Sequence, residues 1–378
     1  MADFPEDTLY NIFSRIPIKS LARFRCVCKQ WRVYINDPHL ANIHHHVKEE
    51  PKPIHIAPIQ RTDQFHQRAS ELSLLRVMAD GVQVNKDLSS RFLVKRNSKH
   101  MEDQIQGYCH GLITLIRKEH RRRKRGTTFV VINPLTKDCH DLPRLIKRPY
   151  EKISGQGLGF DNSANTFKMV CVLDHTKNGA KMRTVQVHNL GTDSWREIPQ
   201  VSYKYYCIGV RAVYANGRLH WYACGDLGEK VVWIDMKKEE YGLSDLPKQT
   251  RVRYFMKLVD LNGEVGCVYL KYGPNYGGDE VVVWILKHED QWSKHCVIKL
   301  PDYNDKVDVI GCWNKEGDIL IKRLLTNALK GPSQLVVYRL TNDSFHSLAG
   351  LEDGPGEEAN YYNIQMYQSS LLSMRKWH

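Results

Sequence analysis

The first 38 residues place apolar side chains at helical spacing. Positions 9, 12, 13 and 16 are apolar, which predicts one apolar face on a first short helix. Pro5 suits its first turn, and Pro17 ends it because proline cannot continue the ladder of backbone hydrogen bonds. Ser20 is the predicted cap of a second helix. Its apolar side would carry Leu21, Phe24, Val27, Cys28 and Trp31. So short a stretch cannot enclose all these side chains, so the rest of the chain or another protein must cover them.

Beyond residue 104 the pattern changes to apolar β-like runs, each followed by a polar turn and usually by Leu-Pro or Ile-Pro. Five copies align at Asn133, Asn189, Asp235, Leu286 and Leu340, in steps of 56, 46, 51 and 54 residues. A second β-like run precedes each copy, and the dipeptides at 216–217 and 262–263 are Asn-Gly, which predicts tight hairpins. Repeats of about 45–55 residues, each with a few antiparallel strands, favour the blades of a β-propeller over a plain β-sandwich.

The two ends of this β region carry weaker patterns. We expect strands around 54–59, 72–78 and 91–94, with an irregular loop at 61–70. Pairing early strands within 54–94 with the last ones, at 361–377, would make a sixth blade and remove exposed sheet edges. The alternative is that these segments cap a five-bladed or open sheet. The predicted domains are a helical module at 1–46, a linker at 47–53 and a β-propeller at 54–378.

Composition narrows the class of protein. The 378 residues are 42% hydrophobic, as in a globular protein, and no apolar run approaches the roughly 20 residues that span a bilayer. Acidic residues near the start argue against a secretory signal, so we expect a cytoplasmic or nuclear protein. The ten cysteines are scattered without paired CxxC spacing, so we predict reduced thiols rather than a zinc site.

The net charge of +13 is concentrated in one block, RKEHRRRKR at 117–125, between two β-like runs. This block is predicted to be an exposed hairpin loop, and it could act as a nuclear localisation signal or contact nucleic acid. The localisation signal would consist of Arg121, Arg122, Arg123, Lys124 and Arg125. A simple solvated loop is the favoured interpretation, because aromatic residues that could stack on bases are not interleaved with the charges.

The sequence predicts no catalytic group, cofactor site or metal site. The histidines of the repeats have no neighbouring serine or cysteine nucleophile motif, and Asp174-His175 and Asp138-Cys139-His140 are interpreted as turn residues. The glycine-rich run 155–159 opens a strand, so it lacks the helix N-terminus that a phosphate loop requires.

The order of residues in the first helices resembles the F-box of plant F-box proteins. The matching run is FPED-L--IF-RIPIKSLARFRCVCK-W from residue 4, with Phe4 where leucine is usual. The resemblance implies that these helices dock on the Skp-type adaptor of a cullin-based ubiquitin ligase. The residues implied in adaptor binding are Phe4, Pro5, Leu9, Ile12, Phe13, Ile16, Pro17, Leu21, Phe24, Arg25, Cys28 and Trp31.

The repeat region is similar to the F-box associated domain of the same family, which has kelch-like repeats. The similarity rests on short motifs in a fixed order: GYCHGL at 107, NP at 133, GLGFD at 157, SWR at 194 and NGRLHW at 216. Together, the two resemblances imply F-box helices followed by a kelch-like β-propeller, for which the repeats and the two chain ends predict six blades. They also imply a non-catalytic substrate receptor of an SCF-type (Skp–cullin–F-box) ligase, whose propeller holds an unknown target protein. The alternative is a nucleic-acid binding module that uses the basic block 117–125.

Overall fold

The computed structural model describes residues 5–37, 40, 43–44, 52–62, 68–78, 81–83, 92–94, 101–119, 126–136, 138–147, 151–177, 180–198, 205–225, 228–248, 254–272, 278–287, 291–300, 306–324, 333–348 and 363–367. Within these ranges, three short helices lie at the start, residues 40 and 43–44 are also helical, and strands with their connecting turns follow. None of the helices in these ranges has the length and apolar character that a bilayer crossing requires.

The helical module contains α1 (Glu6–Ser14), α2 (Ile18–Phe24) and α3 (Lys29–Ile35). Proline precedes both α1 and α2, and the Pro17 carbonyl accepts hydrogen bonds from the amides of Ser20 and Leu21. Ser20 therefore lies inside α2, and its predicted role as a cap is wrong. The predicted second helix is also divided in two, because the Cys28 sulfur caps α3 by accepting from the amide of Trp31 at 3.4 Å.

The strands form six antiparallel sheets. In chain order, the first strands are β1 (Lys52–Thr62), β2 (Arg68–Met78), β3 (Gly81–Gln83) and β4 (Phe92–Val94). Blade 1 contains β5 (Met101–Cys109), β6 (Leu112–Glu119), β7 (Gly126–Asn133), β8 (Asp138–Asp141) and β9 (Leu145–Ile146). Blade 2 contains β10 (Lys152–Asp161), β11 (Thr166–Lys177), β12 (Ala180–Asn189) and β13 (Arg196–Ile198).

Three further blades follow. Blade 3 contains β14 (Tyr205–Ile208), β15 (Val213–Ala215), β16 (Arg218–Gly225), β17 (Gly228–Asp235) and β18 (Tyr241–Asp245). Blade 4 contains β19 (Tyr254–Leu261), β20 (Glu264–Tyr272), β21 (Gly278–Leu286) and β22 (Trp292–Lys299). Blade 5 contains β23 (Lys306–Cys312), β24 (Ile319–Leu324), β25 (Ser333–Arg339) and β26 (Ser344–Ser347), and β27 (Asn363–Tyr367) is the last described strand.

The predicted β-propeller is confirmed, but it has five blades rather than the expected six. Five blades come from the five repeats, and each aligned repeat position lies at or beside the end of the third long strand of its blade. Strands β5, β10, β15, β19, β23 and β27 contact one another in succession, so they are the innermost strands and line the central channel. The remaining sheet joins the two ends of the domain, because β27 pairs with β1 as predicted, from Lys52 with Tyr367 to Ile56 with Asn363. We call this unit, β1–β4 with β27, the closing sheet.

Local turn chemistry explains the hairpins. Asn216 and Gly217 have φ of 51° and 74°, and Asn262 and Gly263 have φ of 57° and 84°. Two successive residues with positive φ make the turn twist that suits an antiparallel hairpin, and asparagine and glycine adopt it at low cost. The two predicted hairpins are confirmed.

At the junctions between blades, the aromatic residue of one repeat contacts the Leu-Pro ending of the repeat before it. The Trp195 indole donates to the carbonyl of Pro143 at 2.7 Å, and the Trp292 indole donates to the carbonyl of Asp245 at 2.6 Å. Each bond links the outer part of one blade to the Leu-Pro ending of the blade before it. The repeat thus specifies both the strands and the contacts that join consecutive blades.

A buried ion network links blades 2 and 3. The Lys168 ammonium donates to the Asp161 carboxylate at 2.8 Å and to the Met236 carbonyl at 2.6 Å. It also lies 2.9 Å from the Glu239 carboxylate, which Arg196 binds from the exposed side. Burial raises the pKa of Asp161, but the bonds from Lys168 and Ser163 outweigh it and lower that pKa to about 2.

Two local predictions are wrong. The expected irregular loop at 61–70 is strand at both ends, since β1 runs to Thr62 and β2 begins at Arg68, and residues 63–67 lie outside the described residues. Asp174 and His175 lie inside β11 and Cys139 inside β8, rather than in turns. Asp174 is held there by Arg183, whose guanidinium binds both carboxylate oxygens, at 2.6 and 3.1 Å.

Candidate functional site

The helical module has a small apolar core of its own. Its buried side chains are Leu9, Phe13, Ile18, Leu21, Ile35 and Leu40. Leu135, from the turn after β7, packs against the same cluster, so blade 1 touches the module. The module therefore hides part of its apolar surface by itself and part against the propeller.

Aromatic side chains build the next layer of the module. Trp31 lies with its ring centroid 5.2 Å from that of Phe13 and 5.5 Å from that of Phe24. Edge-to-face contacts at such distances are favourable beyond the area they bury. The Tyr10 hydroxyl donates to Asp37 at 2.9 Å, and burial together with this bond raises the pKa of Tyr10 to about 12. These contacts fix α1 against α3.

Three large apolar side chains of the module face outwards. Ile12 is 46% exposed, Val27 is 60% exposed and Val33 is 63% exposed. Pro5, Pro17 and Cys28 are exposed as well. Among the described residues, the propeller does not cover this set, which we call the exposed apolar set of the module. Its side chains could bind a partner protein without any unfolding of the module.

The eleven described residues of the predicted adaptor-binding set divide into three groups, of which the exposed one consists of Pro5, Ile12, Pro17 and Cys28. Leu9, Phe13 and Leu21 are buried, so their predicted role in direct contact needs correction. Their spacing placed them on an apolar face, but that face forms the module's own core and supports the surface from within. Ile16, Phe24, Arg25 and Trp31 are partly buried and retain some area for a partner, whereas Phe4 lies outside the described residues.

Val27 and Val33 were missing from the predicted binding set. Val27 was placed on the apolar side of the second helix, but it lies in the turn after α2, where it projects into solvent. Val33 lies two positions from the buried Ile35, on another side of α3. The sequence signal for Val33 is an apolar residue that lies outside the helical spacing of the buried positions.

Polar side chains from different blades meet at the central channel. The Gln156 side-chain amide of blade 2 donates to the Gln106 amide oxygen of blade 1. Two residues further along β5, the Tyr108 hydroxyl of blade 1 donates to Asp260 of blade 4 at 2.8 Å. Burial raises the pKa of Asp260 despite hydrogen bonds from Gly263 and Tyr108, and it raises the pKa of Tyr108 as well. These bonds connect the innermost strands of blades 1, 2 and 4.

The histidines of the repeats have structural partners. His188, His220 and His295 bond to the backbone carbonyls of Ser194, Val213 and Gly317, at 3.1–3.3 Å. Within the described ranges, no three His, Cys, Asp or Glu side chains converge as a metal site requires. The basic residues 121–125 lie outside the described residues, between the paired strands β6 and β7, so their predicted roles stay predictions.

The fold and the exposed apolar set define a class of protein in which a helical module precedes a β-propeller in the chain. Residues 1–42 match the family model of the F-box domain, and residues 65–349 match that of the F-box associated beta propeller domain. The chain therefore belongs to the F-box proteins with an associated β-propeller domain. Neither family model is that of an enzymatic domain.

The chain is similar to plant F-box proteins in sequence and to solved propellers in fold. The F-box/kelch-repeat protein At3g23880 of Arabidopsis thaliana is 25% identical over 93% of this chain and 93% of its own length. The F-box protein At3g07870 of the same plant is 25% identical over 78% of this chain and 72% of its own. A six-bladed fungal lectin from Aleuria aurantia has a TM-score of 0.43 and 8% identity, covering 77% of this chain and 92% of its own. That likeness supports no inference about ligands.

Proposed function

We propose that this chain is the non-catalytic substrate receptor of an SCF-type ubiquitin ligase. The exposed apolar set of the module is the observation that carries the proposal, because it offers Ile12, Val27 and Val33 to a partner. In this proposal the partner is a Skp-type adaptor, which connects the chain to a cullin scaffold. Membership of the F-box family supports this choice of partner.

The propeller would hold the target protein while the helical module holds the ligase. Catalysis then comes from proximity, because tethering raises the effective concentration of target lysines near the ubiquitin-loaded enzyme. The contact of Leu135 with the module core supports a defined placement of the two parts. The receptor itself supplies no reacting group.

The test is a pull-down of a purified Skp-type adaptor by the full chain. We expect the double variant Ile12→Asp and Val33→Asp to lose adaptor binding, because both substitutions place charges in an apolar interface. Both side chains are exposed, so the far-UV circular dichroism and the melting temperature should not change. Leu9→Asp is a poorer choice, since Leu9 is buried and its replacement would unfold the module.

Ile146→Asp is the matched control. Ile146 is 82% exposed on blade 1, so the same chemical change there leaves the module intact. Retained adaptor binding by the folded double variant would overturn the proposal. Loss of binding by the Ile146 control alone would place the interface on the propeller instead.

The proposal places the chain in the cytoplasm or nucleus. Replacement of the block 121–125 by glutamines in a fluorescent fusion tests import through that block. Unchanged nuclear fluorescence would show that the block is not the localisation signal.

A further inference from the structure

The innermost strand of blade 3 is interrupted by a bulge at residues 209–212. The Gln156 amide of blade 2 donates to the Val210 carbonyl at 3.0 Å, and the Ala212 amide donates to the Gln156 carbonyl at 3.1 Å. The Gly209 amide bonds within its own blade, to the Tyr222 carbonyl at 2.8 Å. The backbone on both sides of Arg211 is therefore fixed between two blades. This bulge places Arg211, an exposed residue, at the channel wall.

Charged residues of the next two blades lie at the corresponding level. Positions 211, 257 and 308 are 46 and 51 residues apart, the same steps that separate Asn189, Asp235 and Leu286 in the repeat. The Lys257 ammonium lies 2.6 Å from the Asp308 carboxylate and 3.2 Å from the Val309 carbonyl. The repeat thus brings these side chains of blades 3, 4 and 5 to equivalent positions on the innermost strands.

A third cation belongs to the same group. Lys322 is the direct partner of Asp308 in the register of β23 and β24, so the two side chains share one face of blade 5. Burial lowers the pKa of Lys322 and of Arg211, and in both cases Asp308 opposes the effect. Among the described residues, three cations thus surround one carboxylate. We call Arg211, Lys257, Lys322 and Asp308 the basic channel cluster.

Two apolar side chains flank the basic channel cluster. Val210, in the same bulge as Arg211, is 53% exposed, and Phe255 is 55% exposed. Phe255 lies two residues before Lys257 on β19, so both occupy the same face of that strand. The Tyr108–Asp260 bond joins the innermost strands of blades 1 and 4, so a ligand of the cluster would lie across the channel rather than pass through it.

We propose that the basic channel cluster binds an acidic segment of the target protein, with an apolar side chain of that segment seated on Val210 and Phe255. This inference rests on the proposed function and names the chemistry of its target. The excess of positive charge is fixed by the fold, and half of the Asp308 side chain is exposed, so incoming carboxylates can reach the cations from solvent. A protein segment fits better than nucleic acid, because among the described residues Phe255 is the exposed ring beside the cluster and its neighbour Val210 is aliphatic, whereas bases need successive stacking surfaces.

The test measures binding of degenerate peptide pools to the full chain in complex with its adaptor. Three fluorescein-labelled dodecapeptide pools are used, and every pool has one fixed leucine. The other fixed positions are glutamates in the acidic pool, lysines in the second pool and serines in the third. We expect fluorescence anisotropy to show selective binding of the acidic pool, weakened by salt. The double variant Arg211→Gln and Lys322→Gln should weaken that binding by about tenfold. A further acidic pool has serine in place of the fixed leucine. Phe255→Ser should remove the difference in affinity between the two acidic pools.

Two controls separate this inference from a general charge effect. Lys237→Gln with Lys238→Gln removes the same charge from an exposed turn of blade 3 and should leave binding unchanged. Asp308→Asn removes the opposing carboxylate and should tighten binding, an effect that mere destabilisation would not produce. Equal binding of the three pools, or full binding by the Arg211 and Lys322 variant, would overturn the inference.

Two further outcomes are informative. Mixed-sequence single-stranded DNA that displaces the acidic pool at lower concentration than unlabelled acidic peptide would also overturn the inference, in favour of a nucleic-acid site. Adaptor pull-down by the same variants separates this result from the proposed function. A variant that loses peptide binding but still binds the adaptor assigns the change to the cluster. A wild-type chain that does not bind the adaptor contradicts the proposed function itself.

Discussion

The helical module and the propeller bury their apolar side chains in different ways. The module has one small cluster, and within about 30 residues it leaves Ile12, Val27 and Val33 in contact with solvent. The propeller distributes its core over several clusters between blades, with fully buried side chains such as Phe129 and Trp221. The small unit leaves large apolar side chains exposed because about 30 residues are too few to bury them all, whereas the large unit buries its largest side chains between blades.

The largest expected effect concerns closure of the propeller. Met366 of β27 is buried against Gly311 of blade 5 and belongs to a cluster with Leu320 and Leu335. We expect Met366→Asp to destabilise the propeller by about 4 kcal/mol or more, because an unpaired charge would be buried. Thermal unfolding followed by circular dichroism measures this loss. Met366→Leu keeps the volume and should cost less than about 1.5 kcal/mol. Equal melting temperatures for both variants would contradict the importance of the closing strand.

The next effect tests whether the module is an independent unit. Phe13 is 1% exposed, and Phe13→Ala should cost about 3–5 kcal/mol within the module. We expect adaptor binding to be lost while the main melting transition, which belongs to the propeller, stays in place. Ile12→Ala, one residue away but exposed, should leave the fold of the module intact. A fall in the propeller transition of the Phe13 variant would show that the two units unfold together.

A pH dependence should separate the propeller from the module. The pKa of Asp161 is lowered in the folded chain, so its contribution is fully present above its unfolded pKa of about 4 and is lost as pH falls towards 2. The contribution is on the order of 1–2 kcal/mol. Urea unfolding of the propeller at pH 5, 4 and 3 measures it, and Asp161→Asn should flatten this part of the profile. An unchanged profile in that variant would mean that the bond to Lys168 contributes little.

The smallest effect concerns the bonds between blades. Trp195→Phe keeps an aromatic ring beside Phe129 but removes the bond from the indole to Pro143. We expect a loss of about 1 kcal/mol in the free energy of unfolding. Tyr222→Phe is the comparison, since it removes an exposed bond to Glu229 within one blade and should cost less. The reverse order of the two losses would argue against a special role for contacts between blades.

Much of the fold follows from short-range signals in the sequence. The Asn216-Gly217 turn requires positive φ, and the repeat spacing alone defines five blades and their order. The division of the second helix was missed because α3 begins with a sulfur cap from Cys28, and cysteine is not among the residues that usually cap a helix N-terminus. Helical spacing also could not show which apolar side chains, such as Leu9 and Ile12, face inwards, since that depends on where α2 and α3 pack.

The basic channel cluster was missed for a different reason. Arg211, Lys257 and Asp308 follow the 46- and 51-residue steps of the repeat, but only the structure shows that these positions lie beside the central channel. The sequence reveals the repeat through the apolar pattern of its third strand, which gives no signal at these charged positions. The bulge that carries Arg211 has no apolar period, so the position could be assigned only from the backbone bonds to Gln156.

The pairing of β1 with β27 sets the order of events during synthesis on the ribosome. Ile56 pairs with Asn363, which is 307 residues later in the chain. At roughly 5–20 residues per second, translation of that interval takes about 15–60 s. The amino-terminal helices are made before this interval begins, whereas the ring lacks its last strand until the interval ends. The helical module can therefore fold well before the propeller is complete.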